Sequence, residues 1–268
     1  MPFDELLEQI LPPTDHPLYE QHKRYNTEAV QRGERIASLM GLPNDLAGMN
    51  VLDIGCGTGG ISVAFAKMGA DVYALEPNHT HALLLGITVA RAEKDGVELN
   101  AVVGCGEDLP FSDKSQDIVI LNDVLEHVDN PDKVVSEAVR VLKPNGLMYL
   151  STPNKYSFKQ ILREGHSGLF GVGLLPPRIA SFYVTRIRKV KDRYTVNIIH
   201  SYGMVKRLLE RNGLRYELIN RMQPARRLNS SWVWNLPGIR RVATYIVTRP
   251  SLHPGMLEFV ITKYNGGC

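Results

Sequence analysis

The stretch Val51-Leu-Asp-Ile-Gly-Cys-Gly-Thr-Gly-Gly60 decides the fold of this chain. Residues 51–54 are apolar apart from Asp53, which fits a short buried parallel strand. Four glycines follow within six positions, and residues 61–68 then show a helical pattern. Glycines let the backbone turn sharply and approach a ligand closely, and the next helix offers its first N–H groups. The stretch therefore predicts a nucleotide-like ligand at the end of the first strand.

The glycine spacing alone does not choose a cofactor. Gly55, Gly57 and Gly60 satisfy G-x-G-x-x-G, which also occurs in folds that bind dinucleotides. Residues 71–76 read as a second strand that ends at Glu76. A carboxylate at this place can accept hydrogen bonds from both hydroxyls of a ribose.

Four further stretches follow in a characteristic order: Gly104-Cys-Gly-Glu-Asp-Leu-Pro-Phe111, Asp117-Ile-Val-Ile-Leu-Asn122, Val124-Leu-Glu-His-Val128 and Leu142-Lys-Pro-Asn-Gly146. In this order and spacing they resemble the class I S-adenosylmethionine (SAM)-dependent methyltransferases, in particular the group that includes ubiquinone-pathway O-methyltransferases and many small-molecule methyltransferases. The resemblance is close over residues 45–153 and looser over 200–221. It implies an α/β fold with a doubly wound, mostly parallel seven-stranded sheet, helices on both faces, a cap made by insertions, and SAM as the cofactor.

The resemblance divides the chain into four parts: a helical N-terminal cap (1–44), a SAM-binding core (45–154), an insertion that forms a substrate cap (155–200), and the C-terminal part of the core with a second insertion (201–268, insertion 223–256). Strands are expected at 51–54, 71–76, 99–103, 117–121, 147–150, 215–220 and 257–264. Helices are expected at 3–11, 18–40, 61–68, 80–94, from Pro131 to the break at 144–146, and at 202–211. Residues 168–177 show neither a helical nor a strand period, and we interpret them as an apolar binding loop.

Eight residues are predicted to bind the cofactor: Asp53, Gly55, Gly57, Glu76, Cys105, Gly106, Glu107 and Asn122. The resemblance implies an acidic residue at position 105 that reads the adenine amino group. Cys105 stands there instead, so Glu107 or Asp108 would have to supply the acceptor. The N-terminal helices of relatives cover the cofactor, so Tyr19 or Tyr25 could lie over it, although we favour a packing role for both.

His127 is the candidate catalytic base, with His166 and His200 as alternatives. A hydroxyl acceptor benefits from a base, whereas an amine needs only to arrive unprotonated. Asp123, Glu126 and His127 form D-x-x-E-H, which is similar to an arrangement that binds a divalent ion in some relatives. We assign no metal here and leave that question open.

The charge of the chain is unevenly distributed. Residues 1–150 hold 11 Lys and Arg against 23 Asp and Glu, and residues 151–268 hold 20 against 5. The basic half suggests an anionic partner: a phosphorylated substrate, an anionic membrane surface or RNA. The other interpretation is that the two halves neutralise each other within the fold or across a dimer. RNA is least favoured because no RNA-binding module or tight Lys/Arg run is visible.

Residues 178–193 are basic and aromatic, and with the apolar loop before them they could dock on a membrane surface. In residues 223–256, aromatic side chains and arginines could bind a ring, a phosphate or a bilayer interface, or could simply be packing residues. The sequence shows no secretory signal and no apolar run long enough to span a membrane, and its three cysteines are expected to be reduced. We therefore expect a cytoplasmic protein that acts on a small-molecule or lipid-linked acceptor, with peripheral membrane contact left open. Two other functions are considered, a nicotinamide-dependent oxidoreductase and a SAM-binding scaffold without turnover.

Overall fold

The computed structural model describes residues 1–14, 18–77, 82–190, 194–219 and 255–263. Its strands are β1 Asn50–Ile54, β2 Asp71–Glu76, β3 Asn100–Val103, β4 Gln116–Asn122, β5 Leu142–Pro153, β6 Leu214–Leu218 and β7 Met256–Lys263. They form one seven-stranded sheet in the order β3-β2-β1-β4-β5-β7-β6. Strands β1 to β5 run parallel, and β7 is antiparallel to β5 and β6. The predicted mostly parallel sheet is confirmed.

Helices cover both faces of the sheet. They are α1 Phe3–Glu8, α2 Tyr19–Thr27, α3 Ala29–Leu39, α4 Gly60–Lys67, α5 Ala82–Asp95, α6 Pro131–Val141, α7 Phe158–Leu162, α8 Pro177–Phe182 and α9 Tyr202–Arg211. Side chains of β1 alternate between two cores: Leu52 and Ile54 belong to one core, and Val51 belongs to the other. Among the described residues, no helix is long and apolar enough to cross a bilayer.

Two helix starts follow their sequence signals. The side chain of Asn130 accepts a hydrogen bond from the N–H of Lys133, and Pro131 occupies the first turn of α6. The side chain of Ser201 accepts a hydrogen bond from the N–H of Met204 at the start of α9. Both residues satisfy a backbone donor that would otherwise have no partner within its helix.

The helix predicted over 18–40 is wrong in one respect, because it consists of α2 and α3 divided at Glu28. The division lets α3 pack tightly on α4: a Cβ added at Gly60 would lie 2.2 Å from the Cβ of Ala29. It also directs α2 towards the edge of the sheet, where Tyr25 reaches Asp123. Apolar periodicity cannot show such a break because both helices keep a helical period.

The predicted fifth strand, 147–150, is too short. In the structure β5 begins at Leu142, directly after α6, and Leu142 pairs with Gln116. Pro144 has no N–H to donate to a ladder, and the pairing with β4 shifts between Gln116 and Ile118. The break predicted at 144–146 is therefore an irregularity inside a longer strand.

The insertion at 155–200 contains short helices that the sequence pattern does not predict, whereas the loop predicted at 168–177 is confirmed apart from one 3₁₀ turn and the first residue of α8. The insertion contains α7, a 3₁₀ turn at Val172–Leu174, α8 and a π-helical turn at Tyr183–Ile187. These pieces are too short for a sequence period to show. They pack around a small core of their own, formed by Val172, Ala180, Val184, Tyr194, Val196 and Ile199.

The second insertion, predicted at 223–256, lies almost wholly outside the described residues. That part of the chain carries the aromatic and basic residues that suggested binding: Arg226, Arg227, Trp232, Trp234, Arg240, Arg241 and Tyr245. The interpretation of these residues stays a prediction. The strands on either side of them, β6 and β7, are confirmed as neighbours.

The contact between α3 and α4 gives a test of the packing. A Cβ added at Gly33 would lie 2.5 Å from the Cβ of Ala64, so Gly33→Ala should lower the free energy of unfolding by about 1–3 kcal/mol through overpacking. Gly86→Ala, in the exposed part of α5 with nothing within 4 Å, should raise it by about 0.5–1 kcal/mol. Urea denaturation of the two variants measures both changes. Equal stability of the variants would show that α3 and α4 are not in close contact.

Candidate active site

The site lies at the edge of the sheet where β1, β2 and β4 end. Strand β1 lies between β2 and β4, and Ile54 pairs with Leu75 on one side and Leu121 on the other. Gly55, Glu76 and Asn122 follow these three residues and so share one edge. In open α/β sheets, ligands bind outside the carboxyl ends of strands where the strand order reverses. The structure therefore brings three of the predicted cofactor residues together.

The glycine loop is tied to the end of β2 by backbone hydrogen bonds. The N–H groups of Gly55 and Cys56 both donate to the carbonyl of Leu75, at 2.8 and 3.1 Å. The N–H of Gly57 donates to Oε2 of Glu76 at 3.0 Å. Gly57 has a φ of 56°, which favours glycine, and a Cβ there would meet no atom of the described residues within 4 Å. The loop is thus held on one side and open on the other.

Glu76 is buried, with 7% of its surface exposed. Burial raises the pKa of Glu76 to about 7, although the hydrogen bond from Gly57 opposes this shift. Hydrogen bonds that a ligand donates to the ionised carboxylate would stabilise the charged form and lower the pKa of Glu76.

Asp53 faces away from the open side of the loop. Its carboxylate accepts a 2.6 Å hydrogen bond from the hydroxyl of Ser62 in α4. Burial raises the pKa of Asp53 to about 6, against the effect of the Ser62 hydrogen bonds. Asp53 therefore joins β1 to the helix that follows the glycine loop, and direct contact with a cofactor stays a prediction.

The predicted adenine side of the site follows β3. Gly106 is buried, and a Cβ there would lie 3.3 Å from both Ile54 and Val134, so the backbone packs closely on the core. Cys105 is exposed and forms an isolated bridge with Asp108. Glu107 lies near the backbone of Asn130, with 3.5 Å between Oε1 and the N–H nitrogen. The adenine contacts of these three residues stay predictions.

Tyr25 joins the site from the N-terminal cap. Its hydroxyl donates to Oδ2 of Asp123 at 3.0 Å, and the guanidinium of Arg32 lies 3.8 Å from the centre of its ring. The hydroxyl of Ser151 lies 3.1 Å from both Oδ1 of Asp123 and Oδ1 of Asn122. Tyr25 therefore does more than pack, because its hydroxyl forms a hydrogen bond with a residue that follows β4.

His127 is exposed, and the insertion orients it. Its Nδ1 lies 3.0 Å from the carbonyl of Thr195, which assigns the Nδ1 proton and makes Nε2 the acceptor nitrogen of the neutral ring. Asn197 holds the backbone of the same loop: its N–H donates to the carbonyl of Glu126 at 2.7 Å, and its Nδ2 donates to the carbonyl of His127 at 2.9 Å. Neither Thr195 nor Asn197 carries a sequence signal that predicts these contacts.

A second imidazole lies beside the first. The rings of His127 and His166 meet edge to face with centroids 5.0 Å apart. His166 Nδ1 is 2.7 Å from Oε1 of Glu164, and Ser167 donates to Oε2 of the same carboxylate from its N–H and its hydroxyl, both at 2.7 Å. Burial alone would raise the pKa of Glu164, but the hydrogen bond and charge of His166 and the bonds from Ser167 lower it to about 2. Glu164 was missed in the sequence because it is one acid in a basic segment.

The third histidine considered as a base, His200, lies in a different environment. Only 4% of its surface is exposed, and burial, with the charge of Lys155, lowers its pKa to about 4. His200 is therefore a neutral interior side chain near pH 7.

Glu126, His127 and His166 offer ligand atoms that all lie within 4.8 Å of one another. Oε1 of Glu126 is buried and has no hydrogen-bond partner among the described residues, and burial, together with Asp123, raises the pKa of Glu126. One carboxylate and two imidazoles fit a divalent cation, which would polarise an acceptor oxygen. Asp123, the first acid of D-x-x-E-H, is instead held by Tyr25 and Ser151.

Comparison with known proteins agrees with this geometry. Residues 52–150 match the family model described as a methyltransferase domain. The order of the strands and the position of the glycine loop agree with the class I methyltransferase fold.

The curated relatives cover part of the chain. A ubiquinone biosynthesis O-methyltransferase from Agrobacterium fabrum is 36% identical over 110 residues, which is 41% of this chain and 43% of that protein. One from Rickettsia conorii is 34% identical over 121 residues, 45% of this chain and 40% of that protein. The match thus spans about two fifths of the length of these relatives.

Solved structures share the fold at low sequence identity. A SAM-dependent methyltransferase from Mesorhizobium loti superposes with a TM-score of 0.56 at 17% identity, covering 86% of this chain and 96% of that one. The YcgJ protein from Bacillus subtilis gives a TM-score of 0.55 at 17% identity, covering 87% and 99%. Both superpositions therefore include residues outside 52–150.

The pKa of Glu76 predicts a pH-dependent cofactor affinity. If the ionised carboxylate accepts the ribose hydroxyls, binding below about pH 7 must first release a proton, so the dissociation constant of S-adenosylhomocysteine should rise as the pH falls, approaching tenfold per pH unit. Glu76→Gln should bind more weakly at pH 8 and lose this dependence. Titration calorimetry across pH 6–8.5 measures both effects.

Asp71→Asn is the matched control, because Asp71 lies at the opposite end of the same strand. It should keep the pH dependence of the unmodified chain. A Glu76→Gln variant with unchanged affinity and an unchanged pH profile would show that Glu76 does not contact the cofactor.

Proposed function

We propose that this protein transfers a methyl group from SAM to an oxygen of a small-molecule or lipid-linked acceptor. The observation that carries the proposal is the shared edge at which the glycine loop, buried Glu76, Asn122 and His127 all lie. This edge lies within the methyltransferase domain. The names of the curated relatives, which are O-methyltransferases, support oxygen as the methylated atom.

The cofactor is proposed to lie across the ends of β1, β2 and β4. Glu76 would accept the ribose hydroxyls, and the open side of the loop at Gly55 and Gly57 would receive the methionine part. Residues 105–107 would line the adenine. Asn122 would then lie beside the sulfonium, at the end of β4 that leads to His127.

Methyl transfer is an in-line displacement in which the positive charge on sulfur disappears as the acceptor oxygen bonds to carbon. Alignment of the reactants can contribute about 7–11 kcal/mol. His127 is proposed to take the acceptor proton at Nε2, since the Thr195 carbonyl fixes the proton at Nδ1. Such general-base catalysis contributes roughly 10²–10⁴-fold.

A groove in the insertion supports a lipid-linked acceptor. It has a volume of about 170 Å³, and apolar side chains such as Leu174, Val196 and Ile199 line it. Asn197 lines the same groove and holds the loop that carries His127. Lys155, also in its wall, suits an anionic group on the acceptor. We propose that the insertion is the substrate cap and that this groove takes the apolar part of the acceptor.

The two other functions considered from the sequence are less well supported. The match of residues 52–150 to a methyltransferase domain favours SAM chemistry over hydride transfer with a nicotinamide cofactor. A scaffold without turnover would need neither an oriented imidazole nor an apolar groove in the insertion that orients it. Methyl transfer accounts for both features.

His127→Gln tests the catalytic role. A glutamine amide cannot accept the acceptor proton, so we expect kcat to fall about 10²–10⁴-fold while the affinity for SAM stays unchanged. The assay follows the radiolabelled methyl group of SAM into a panel of phenols and catechols with and without an isoprenoid chain. Calorimetry with SAM is the control for folding and cofactor binding.

The same assay after dialysis against a chelator separates a base from a bound cation. Unchanged activity supports His127 as the base. Loss of activity that a divalent metal restores would assign Glu126, His127 and His166 to a cation instead. Full activity of His127→Gln would contradict the catalytic role of His127, and failure of the unmodified chain to bind SAM would contradict the whole proposal.

A further inference from the structure

Exposed apolar side chains are concentrated in the insertion. Among the described residues, thirteen large apolar side chains are exposed, and nine of them lie between Tyr156 and Ile187. Phe158 and Phe170 are 69% and 70% exposed, values typical of polar surface residues. Such a concentration marks an interaction surface, because single exposed apolar residues are normally scattered.

The exposed side chains follow the helices of the insertion in stripes. In the segment formed by α8 and the π-helical turn, Ile179, Phe182 and Arg186 are exposed at helical spacing, while Ala180 and Val184 are buried in the core of the insertion. In α7, Phe158 and Leu162 are one turn apart and both exposed. The core of the insertion is therefore complete without these side chains. We call the exposed set the insertion face: Phe158, Leu162, Phe170, Ile179, Phe182 and Ile187.

The two helical pieces are connected through the backbone. The N–H of Gly171 donates to the carbonyl of Ile161 at 2.8 Å, which holds the chain beside Phe170 against the end of α7. Residues 172–176 then lead directly into α8. The stripes thus belong to one folded unit.

The charge around the insertion face has one sign. Residues 155–190 contain seven Lys and Arg and a single carboxylate, Glu164, which is fully buried and bonded to His166 and Ser167. Exposed cations without an exposed carboxylate, as in residues 155–190, complement lipid phosphates, and basic segments with aromatic and aliphatic side chains bind in the interface of a bilayer. The exposed cations of residues 155–190 are Lys159, Arg163, Arg178, Arg186, Arg188 and Lys189.

We propose that the insertion face rests on the surface of an anionic lipid bilayer, with its apolar side chains in the interfacial layer and its cations at the lipid phosphates. Contacts of Asn197 with Glu126 and His127 join the same insertion to the proposed active site. An acceptor dissolved in the bilayer could then reach the groove without crossing water. The proposal requires the fold and the insertion face, and it holds whether or not the acceptor is lipid-linked.

Vesicle sedimentation with the full chain tests the proposal. The probes are vesicles of phosphatidylcholine alone and of phosphatidylcholine with about 30% phosphatidylglycerol. The unmodified chain should bind the anionic vesicles, and its partition coefficient should fall at least tenfold in the double variant Phe170→Ser, Phe182→Ser. Arg186→Gln should lower it about fivefold, the effect of one cation near an anionic surface.

Two variants are matched controls. Val103→Ser removes an exposed apolar side chain of β3, outside the insertion, and Lys206→Gln removes an exposed cation of α9. Both should bind vesicles as the unmodified chain does. Thermal unfolding and SAM calorimetry of every variant confirm folding without using turnover, so a failure of the membrane proposal is distinguishable from a failure of the proposed enzymatic function.

Three results would overturn the proposal. The first is no binding to anionic vesicles, and the second is equal binding of the double variant and the controls, which would assign any membrane contact to another part of the chain. The third is a dimer, seen by light scattering without vesicles, that Phe170→Ser, Phe182→Ser converts to a monomer. That result would assign the insertion face to a second copy of this chain.

Discussion

The site depends on one contact, the hydrogen bond from the N–H of Gly57 to the buried carboxylate of Glu76. It joins the loop after β1 to the end of β2, while the hydrogen bond between Ser62 and Asp53 joins α4 to β1 on either side of the same loop. Burying two carboxylates beside a glycine loop is costly, since desolvation disfavours their charged forms. A ligand that donates hydrogen bonds to these carboxylates would offset this desolvation cost.

One side of the site is built from segments outside the residues that match a methyltransferase domain. Tyr25 comes from α2, and Thr195 and Asn197 come from the insertion, yet all three contact the residues that follow β4. The domain match ends at residue 150, and the curated relatives are matched over about two fifths of their length. The proposed function places the choice of acceptor in these added segments.

The insertion has two different surfaces, which explains its unusual composition. One surface packs on the site through Asn197 and the Glu164–His166 pair, where a single buried carboxylate accepts several hydrogen bonds. The other surface exposes aromatic and aliphatic side chains among cations. The short helices of the insertion bury only a small core of their own, so side chains remain both for contacts with the site and for the exposed apolar surface.

The sequence by itself determined where most strands lie along the chain, where α6 and α9 begin, and that Gly55, Glu76 and Asn122 belong to one predicted site, because local patterns and short spacings mark these features. Only the tertiary structure decided that Tyr25 reaches Asp123, that β5 absorbs Pro144, that the insertion folds into helices, and that Glu164 orients His166 beside His127. These features depend on contacts between residues distant in the chain, or on helices too short for a period to show. Hydrogen bonds of that kind leave no mark in composition or spacing.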